Sequence, residues 1–186
     1  MNVVEESWSS VAQHAQIPIA FVVEGVLEIG EKHAGGFDLA ERRLDSPYLK
    51  DYDALESPTT WEERFDVSTW GLIAAYLDGA RIGGAVIAVD TAGVEQLERR
   101  RDLALLWDLR VHPDMRRQNV GRTLFAAAAE WARSNGCKEL KVETQNINVP
   151  ACRFYARQGC ELRQVNRNAY PSLPDEIQLL WYKTLR

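Results

Sequence analysis

The segment from Arg116 to Leu124 combines residue types that bind anions. It follows a strand-like apolar run and leads into a helical pattern, so free backbone N–H groups and the positive end of a helix dipole converge there. Gly121 allows close backbone approach, and Arg116, Arg117 and Arg122 add positive charge. Such helix starts bind phosphate groups, pyrophosphate in particular. A plain helix start with solvated arginines is the alternative.

Two common phosphate-binding motifs are absent from the loop. A Walker A motif requires G-x-x-x-x-G-K-[ST], and a dinucleotide fingerprint requires G-x-G-x-x-G. This loop has a single glycine, Gly121. The phosphate groups predicted for it therefore belong to another class of ligand.

The surrounding sequence predicts strands and helices that position this loop. The Asp-Gly dipeptide at 78–79 is a hairpin signal between two β-rich runs, and Leu124, Ala128 and Trp131 recur at helical spacing. The predicted strands are Trp70–Leu77, Ile82–Val89, Leu103–Val111, Leu140–Thr144, Cys160–Asn166 and Glu176–Lys183, and the predicted helices are Gly121–Asn135 and Pro150–Gln158. This order predicts a mixed α/β fold with a central sheet.

The first sixty residues carry weaker patterns. Ile17–Ile29 is rich in valine and isoleucine with partial alternation, which predicts one or two strands. Asp38–Leu55 mixes charged and apolar residues and predicts one or two short helices broken near Pro47. No stretch has linker composition, so we expect a single domain over residues 1–186.

Two motifs resemble those of the GNAT superfamily of N-acetyltransferases. Arg116, Asn119 and Gly121 resemble the R-x-x-G-x-G/A motif, whose loop amides hold the pyrophosphate of acetyl-CoA in that family. Asn119 stands where the first glycine usually does. Because asparagine tolerates left-handed backbone better than other non-glycine residues, we expect the turn to persist. The segment Asn148–Gly159 resembles the family's N-x-x-A-x-x-F/L-Y-x-x-x-G segment.

The resemblance implies a fold and an activity. It covers about Trp70 to the C-terminus and implies a mixed, mostly antiparallel central sheet flanked by helices, with strands 4 and 5 splayed. Leu106–Pro113, Val142–Asn146 and Gln178–Lys183 resemble streptothricin acetyltransferases, bacterial enzymes that acetylate a side-chain amine of an antibiotic. An acetyl-CoA-dependent N-acetyltransferase with a role in antibiotic resistance is therefore implied.

The resemblance also implies which residues meet acetyl-CoA. It places the acceptor-site elements mainly in residues 1–65 and the acetyl-CoA-binding core in about 70–186. The implied set consists of the main chain of Leu109, Arg110 and Val111 beside pantetheine, the loop residues Arg116, Arg117, Gln118, Asn119, Val120, Gly121, Arg122 and Thr123, and then Asn148, Ala151 and Tyr155. The alternative for Asn148 is a helix N-cap.

Acetyl transfer from a thioester to an amine sets chemical requirements. An alkyl ammonium group has a pKa of ~10, so some group must accept its proton directly or through water. The thioester oxygen needs a hydrogen-bond donor as charge develops on it, and the leaving thiolate needs a proton. Because proximity supplies much of the acceleration when both substrates are held together, no covalent enzyme intermediate is required.

Three residues are the candidate catalytic groups. By resemblance, Tyr155 is the general acid that approaches the coenzyme A sulfur, and the alternative is aromatic packing with Phe154. Glu143 and Asp108 lie near strand ends, where either carboxylate could accept a proton or pair with a cationic substrate. Asp108 shares a strand face with Arg110, so a salt bridge is its alternative. We favour Glu143 as the base or as the anchor of a water molecule.

Composition limits the classes of function. A net charge of −5, from 22 basic and 27 acidic side chains, argues against a nucleic-acid binder. The longest apolar runs are shorter than a membrane span, and Met1–Ser10 lacks the basic region of a secretory signal. His14, His33 and His112 form no ligand pattern, so we expect no metal. Three cysteines without C-x-x-C spacing predict reduced thiols in the cytoplasm.

The remaining expectations concern partners. We expect a small-molecule amine acceptor; the alternatives are a protein N-terminus or lysine, a polyamine, or a non-catalytic module that binds acyl-CoA. Glu176–Lys183 is suited to be a sheet edge through which relatives pair, which predicts a homodimer. Trp61, Trp70 and Tyr170 are candidates for the wall of the acceptor pocket.

Overall fold

The described part of the chain folds into nine strands and three α-helices. The structure is a computed structural model that describes residues 1–32 and 35–186, so His33 lies outside the described residues. The strands are β1 (Asn2–Glu6), β2 (Phe21–Glu31), β3 (Phe37–Lys50), β4 (Gly71–Leu77), β5 (Ala80–Val89), β6 (Leu103–Val111), β7 (Glu139–Gln145), β8 (Glu161–Asn166) and β9 (Gln178–Thr184). The helices are α1 (Val11–Ala15), α2 (Val120–Ser134) and α3 (Val149–Arg157).

One compact unit comprises Met1–Ile19, Asp51–Leu140 and Thr184–Arg186. Its strands run antiparallel in the order β1-β4-β5-β6. The predicted hairpin between β4 and β5 is confirmed, because both residues of its Asp-Gly dipeptide have positive φ angles. A Cβ atom at Gly83 would lie 2.8 Å from Leu124 Cδ1. This glycine therefore lets α2 pack closely against β5.

A second compact unit comprises Ala20–Lys50 and Lys141–Lys183. In it, β2 and β3 form a two-stranded antiparallel sheet, and β9 lies between β7 and β8. The two segments are joined by the Leu27 N–H group, which donates to the Asn146 carbonyl at 2.9 Å. The prediction that the last strand forms a sheet edge is wrong, because β9 has a strand on each side. The homodimer itself stays a prediction.

The prediction of short helices in Asp38–Leu55 is also wrong. Most of that segment is β3, which pairs with β2 from Phe37 to Lys50. Leu39, Leu44 and Leu49 recur every five residues, a spacing typical of neither regular element, so the partner strand decides the conformation. Strand β1 and helix α1 were not predicted from the sequence.

The fold class is confirmed. Four antiparallel strands in one unit, the antiparallel β8–β9 pair in the other, and the helices α2 and α3 form a mixed α/β fold with a mostly antiparallel sheet. The splay between strands 4 and 5, the single domain, and the division into residues 1–65 and about 70–186 stay predictions.

Aromatic residues of the first unit form a packed cluster. Trp61 and Trp70 are only 4% and 8% exposed, and their ring centroids are 6.4 Å apart. Trp107 packs against both rings at 5.9 and 5.0 Å. This burial contradicts the interpretation of Trp61 and Trp70 as pocket walls, because their rings contact each other and the core.

The three cysteines are buried and unpaired, and the cytoplasmic location expected from them stays a prediction. Among the described residues, no group of three or more His, Cys, Asp or Glu side chains is arranged to hold a metal ion. Within residues 1–32 and 35–186, no helix combines the length and apolar character needed to cross a membrane.

Candidate active site

The loop before α2 turns through a left-handed residue where the sequence predicts one. Asn119 has φ 65° and ψ 2° and occupies the N-cap position of α2, and Arg117 is also left-handed, with φ 62°. The Asn119 side chain makes no capping hydrogen bond. The turn therefore depends on the backbone conformation of Asn119 and not on a side-chain hydrogen bond. The expectation that the turn persists with asparagine in place of glycine is confirmed.

The first turn of α2 has the properties of an anion site. The Thr123 N–H group donates to the Asn119 carbonyl at 3.0 Å. The N–H groups of Val120, Gly121 and Arg122 precede the first intrahelical bond, as at any helix start. No acidic side chain lies in this turn, so nothing there opposes a phosphate group. Val120 is buried, which anchors the turn.

Two side chains shape the approach to this turn. Arg116 Nε donates to the Val111 carbonyl at 3.3 Å, and Gln118 Nε2 donates to the Asp114 carbonyl at 2.8 Å. Both residues remain exposed, as do Arg117 and Asn119. The predicted loop residues therefore lie together on an accessible surface of the first unit.

Asp108 lies in a buried network on β6. Arg110 Nε donates to its Oδ2 at 2.7 Å, and the fully buried His14 has its Nε2 3.7 Å from the same oxygen. The Arg110 guanidinium also makes two hydrogen bonds of 2.7 Å to the Asp53 carboxylate and one of 3.1 Å to the Ile17 carbonyl. Asp108 and Arg110 are thus brought together as the strand alternation predicts.

The surroundings of Asp108 favour a structural role. Burial alone raises the pKa of its carboxyl, but His14 and Arg110 together hold that pKa below its ordinary value. Asp108 is 7% exposed and engaged by a guanidinium. A carboxylate held in this way is a poor proton acceptor, so the salt-bridge alternative accounts for it better than the prediction of a base.

Tyr155 and Asn148 belong to the second unit. Tyr155 is 7% exposed on α3, with its ring edge-on to Phe154 at 5.1 Å. Asn148 Oδ1 accepts from the Ala151 N–H group at 3.2 Å, so the N-cap interpretation of Asn148 is confirmed. Pro150 occupies the first turn of the helix, where its missing N–H group costs nothing.

Glu143 is held by two hydrogen-bond donors, one at each carboxylate oxygen. Tyr170 Oη donates to Oε1 at 2.5 Å, and Gln178 Nε2 donates to Oε2 at 2.8 Å. Gln145 Nε2 in turn donates to Tyr170 Oη at 3.0 Å. From the sequence, Tyr170 is predicted only as a pocket wall, and Gln178 is not predicted as a site residue. The available signal was a polar residue, Gln178, at the start of the apolar run of the last strand.

Glu143 and Tyr155 are presented from opposite sides of β7. Successive strand residues point to opposite faces, so Thr144 faces away from Glu143. Thr144 Oγ1 lies 3.3 Å from Cys152 Sγ on α3 and accepts from Trp181 Nε1 at 2.8 Å. Helix α3, with Tyr155, therefore packs on the face that Glu143 does not share.

Comparison with known proteins decides the family. The profile of the Acetyltransferase (GNAT) family matches residues 37–160. The chain belongs to this family. It is thus a GNAT acetyltransferase, as the two sequence motifs imply.

The relatives of this GNAT acetyltransferase also confirm the resemblance to streptothricin acetyltransferases. Streptothricin acetyltransferase A of Bacillus subtilis (strain 168) is 31% identical over 150 residues, which cover 80% of each chain. Two crystal structures share the fold. Nourseothricin acetyltransferase has a TM-score of 0.76 at 23% identity, over 100% of this chain and 98% of its own. A Bacillus anthracis protein assigned to the streptothricin acetyltransferases, in complex with acetyl coenzyme A, has a TM-score of 0.81 at 24% identity, over 98% of each chain.

Proposed function

We propose that this GNAT acetyltransferase transfers the acetyl group of acetyl-CoA to a primary amine of a streptothricin-type antibiotic. The acceptor is a small molecule. Its amine attacks the thioester of acetyl-CoA directly while both substrates are bound. The left-handed turn of Asn119 at the start of α2, with no acidic side chain in the first helical turn, is the observation that supports this most strongly. The similarity to streptothricin acetyltransferase A supports the class of acceptor.

The loop and β6 are proposed to hold acetyl-CoA. The first N–H groups of α2 would bind its pyrophosphate, because they are unpaired within the helix and lie at the positive end of its dipole. Arg116, Arg117 and Arg122 would add positive charge. The main chain of Leu109–Val111 would pair with the pantetheine arm and supply a donor to the thioester oxygen, and Asn148 and Ala151 would contact acetyl-CoA at the start of α3.

Glu143 and Tyr155 are proposed to move the protons. Glu143 would accept a proton from the ammonium group of the acceptor, directly or through a water molecule that it anchors, and the neutral amine would then attack the thioester. Tyr155 would protonate the departing thiolate. Their presentation from opposite faces of β7 fits an amine and a thioester that approach from opposite sides. Asp108 would keep Arg110 in place rather than take part in the chemistry.

A panel of amine acceptors tests the acceptor class. The purified enzyme, acetyl-CoA and a thiol reagent are combined with streptothricin, spermidine, or a peptide that has a free N-terminus and one lysine. We expect kcat/KM for streptothricin to exceed the others by at least roughly tenfold. Faster turnover of the polyamine or peptide would overturn the antibiotic as acceptor. Binding of acetyl-CoA without turnover of any amine would instead indicate a non-catalytic module.

A further inference from the structure

We propose that Tyr170 is a positioning residue of the acceptor site, which acts by orienting the Glu143 carboxylate toward the amine. This inference rests on the proposed role of Glu143 and extends it to a residue on a different element. Tyr170 lies in the connection between β8 and β9, which carries none of the family motifs. Its hydroxyl is nevertheless the donor to Glu143 Oε1, at 2.5 Å.

In the hydrogen-bond network around Glu143, the donor and the acceptor of each bond can be assigned from the chemical groups involved. The Gln145 Nε2 group can only donate, so Tyr170 Oη accepts there and its single proton is directed to Glu143. On the other carboxylate oxygen, Gln178 Oε1 accepts from Asn166 Nδ2 at 2.6 Å, which turns the Gln178 amide N–H₂ toward Glu143. Both carboxylate oxygens are therefore held by donors whose own orientation is set by a further residue.

The charge state of Tyr170 agrees with this geometry. Burial and the neighbouring Glu143 raise the pKa of the Tyr170 hydroxyl well above its ordinary value. The phenol thus stays protonated and remains a hydrogen-bond donor over the pH range in which enzymes work. Two donors on different oxygens therefore fix the orientation of the Glu143 carboxylate.

The connection that carries Tyr170 is held at both ends within the second unit. Near its start, Arg167 Nη2 donates to the Ile29 carbonyl at 2.8 Å. Near its end, Glu176 forms an ion pair with Lys50, and the Ile177 N–H group donates to Asn146 Oδ1 at 2.8 Å. Three partners outside the connection hold it: Ile29 lies in β2, Lys50 ends β3, and Asn146 directly follows β7. The position of Tyr170 is therefore set by several elements at once, as a positioning residue requires.

The test compares Tyr170→Phe with Tyr76→Phe. Tyr76 Oη donates to Glu6 Oε1 at 2.7 Å in the first unit, so its variant loses the same kind of tyrosine–carboxylate bond at a place outside the proposed machinery. With streptothricin as acceptor, we expect Tyr170→Phe to lower kcat/KM by roughly 10- to 100-fold, the range for losing a hydrogen bond to a charged group. We expect the KM for acetyl-CoA to change less than about twofold, and Tyr76→Phe to retain wild-type kinetics.

The same substitution in the Glu143→Gln background separates positioning from a general structural effect. If Tyr170 acts through Glu143, Tyr170→Phe causes no further loss there. Wild-type kinetics of Tyr170→Phe, or equal fold-losses in both backgrounds, would overturn the inference while leaving Glu143 in place. Wild-type activity of Glu143→Gln would overturn the proposed role of Glu143 itself. Should Tyr170→Phe not fold, Gln178→Met removes the second donor and is expected to show the same acceptor-specific loss.

Discussion

Asp108 on β6 and Glu143 on β7 carry the same functional group, yet their contacts indicate different roles. Asp108 is engaged by a guanidinium and lies beside a fully buried imidazole. Glu143 is part-buried and accepts hydrogen bonds from two neutral donors, a phenol and an amide. A hydrogen bond from a cation stabilises a carboxylate in its charged form more than a hydrogen bond from a neutral donor does. This difference favours Glu143 over Asp108 as the proposed proton acceptor.

We predict that Asp108→Asn lowers stability more than activity. The substitution removes one of the two carboxylates that compensate Arg110, while Asp53 remains. We expect a cost of roughly 2–3 kcal/mol of unfolding free energy and a decrease in Tm of roughly 5–10 °C. At a temperature well below Tm, kcat should stay within a few-fold of wild type, whereas Glu143→Gln should lose roughly 100-fold or more. Thermal melts and steady-state kinetics of both variants check this. The opposite ranking in kcat would make Asp108 the base.

The ion pair also predicts an acid dependence of stability. The pKa of Asp108 is lower in the folded protein than its ordinary value of about 4, so its contribution is present above that value and is lost as pH falls through the folded pKa. Urea midpoints measured between pH 7 and pH 3 should therefore fall more steeply for the wild type than for Asp108→Asn. Parallel pH curves for the two proteins would contradict this.

Tyr155→Phe tests the proposed general acid. We expect kcat to fall by roughly 100-fold because the thiolate loses its proton donor, with the affinity for acetyl-CoA unchanged. Phe154→Leu is the control for aromatic packing, since the two rings are in edge-to-face contact. Wild-type turnover by Tyr155→Phe, or an equal loss in the Phe154 variant, would favour the packing interpretation.

The cysteines provide a test of direct transfer. Burial raises the pKa of Cys152 and of Cys160 to about 11, so at pH 8 only about one thiol in a thousand is ionised. We predict that native enzyme treated with iodoacetamide at pH 8 keeps its activity, whereas the same reagent labels all three cysteines after unfolding. Rapid inactivation of the native enzyme that acetyl-CoA prevents would indicate a reactive thiol at the site.

At the scale of elements, the turn that starts α2 was predictable and β3 was not. The turn depends on one residue, because it forms only if the residue at position 119 can adopt the left-handed conformation. The conformation of Phe37–Lys50 depends on pairing with β2, and its charged residues gave no clear period. Glu143 could be selected from its strand, but its hydrogen bonds with Tyr170 and Gln178 could not be predicted, because 27 and 35 residues separate these donors from it.

Substitutions at Asn119 test the turn itself. Asn119→Gly should preserve both stability and acetyl-CoA affinity, because the side chain makes no capping hydrogen bond and glycine adopts φ 65° freely. Asn119→Ala should raise the Kd for acetyl-CoA roughly fivefold, which corresponds to about 1 kcal/mol of strain in the left-handed region. Titration calorimetry of the two variants measures the difference. Equal affinities would show that the left-handed conformation is not needed for binding.

At the scale of the whole molecule, the second unit is built by contacts between residues that are far apart in the sequence. Its two segments, 20–50 and 141–183, are separated by ninety residues in sequence, and the bond between Leu27 and Asn146 and the pair of Lys50 with Glu176 join them. No local pattern could predict such pairs. The mixed α/β class was predictable because it depends on the order and type of elements, most of which lie after Trp70 and carry strong patterns.

The central claim is that the N–H groups at the start of α2 bind a pyrophosphate. Titration calorimetry of the wild-type protein compares acetyl-CoA with S-acetylpantetheine, which keeps the thioester and lacks the pyrophosphate and the adenosine 3′-phosphate attached to it. We predict one binding site for acetyl-CoA and an affinity at least roughly 100-fold above that for S-acetylpantetheine, since several charge-assisted hydrogen bonds are lost. No heat of binding with acetyl-CoA, or equal affinities for the two compounds, would contradict the claim.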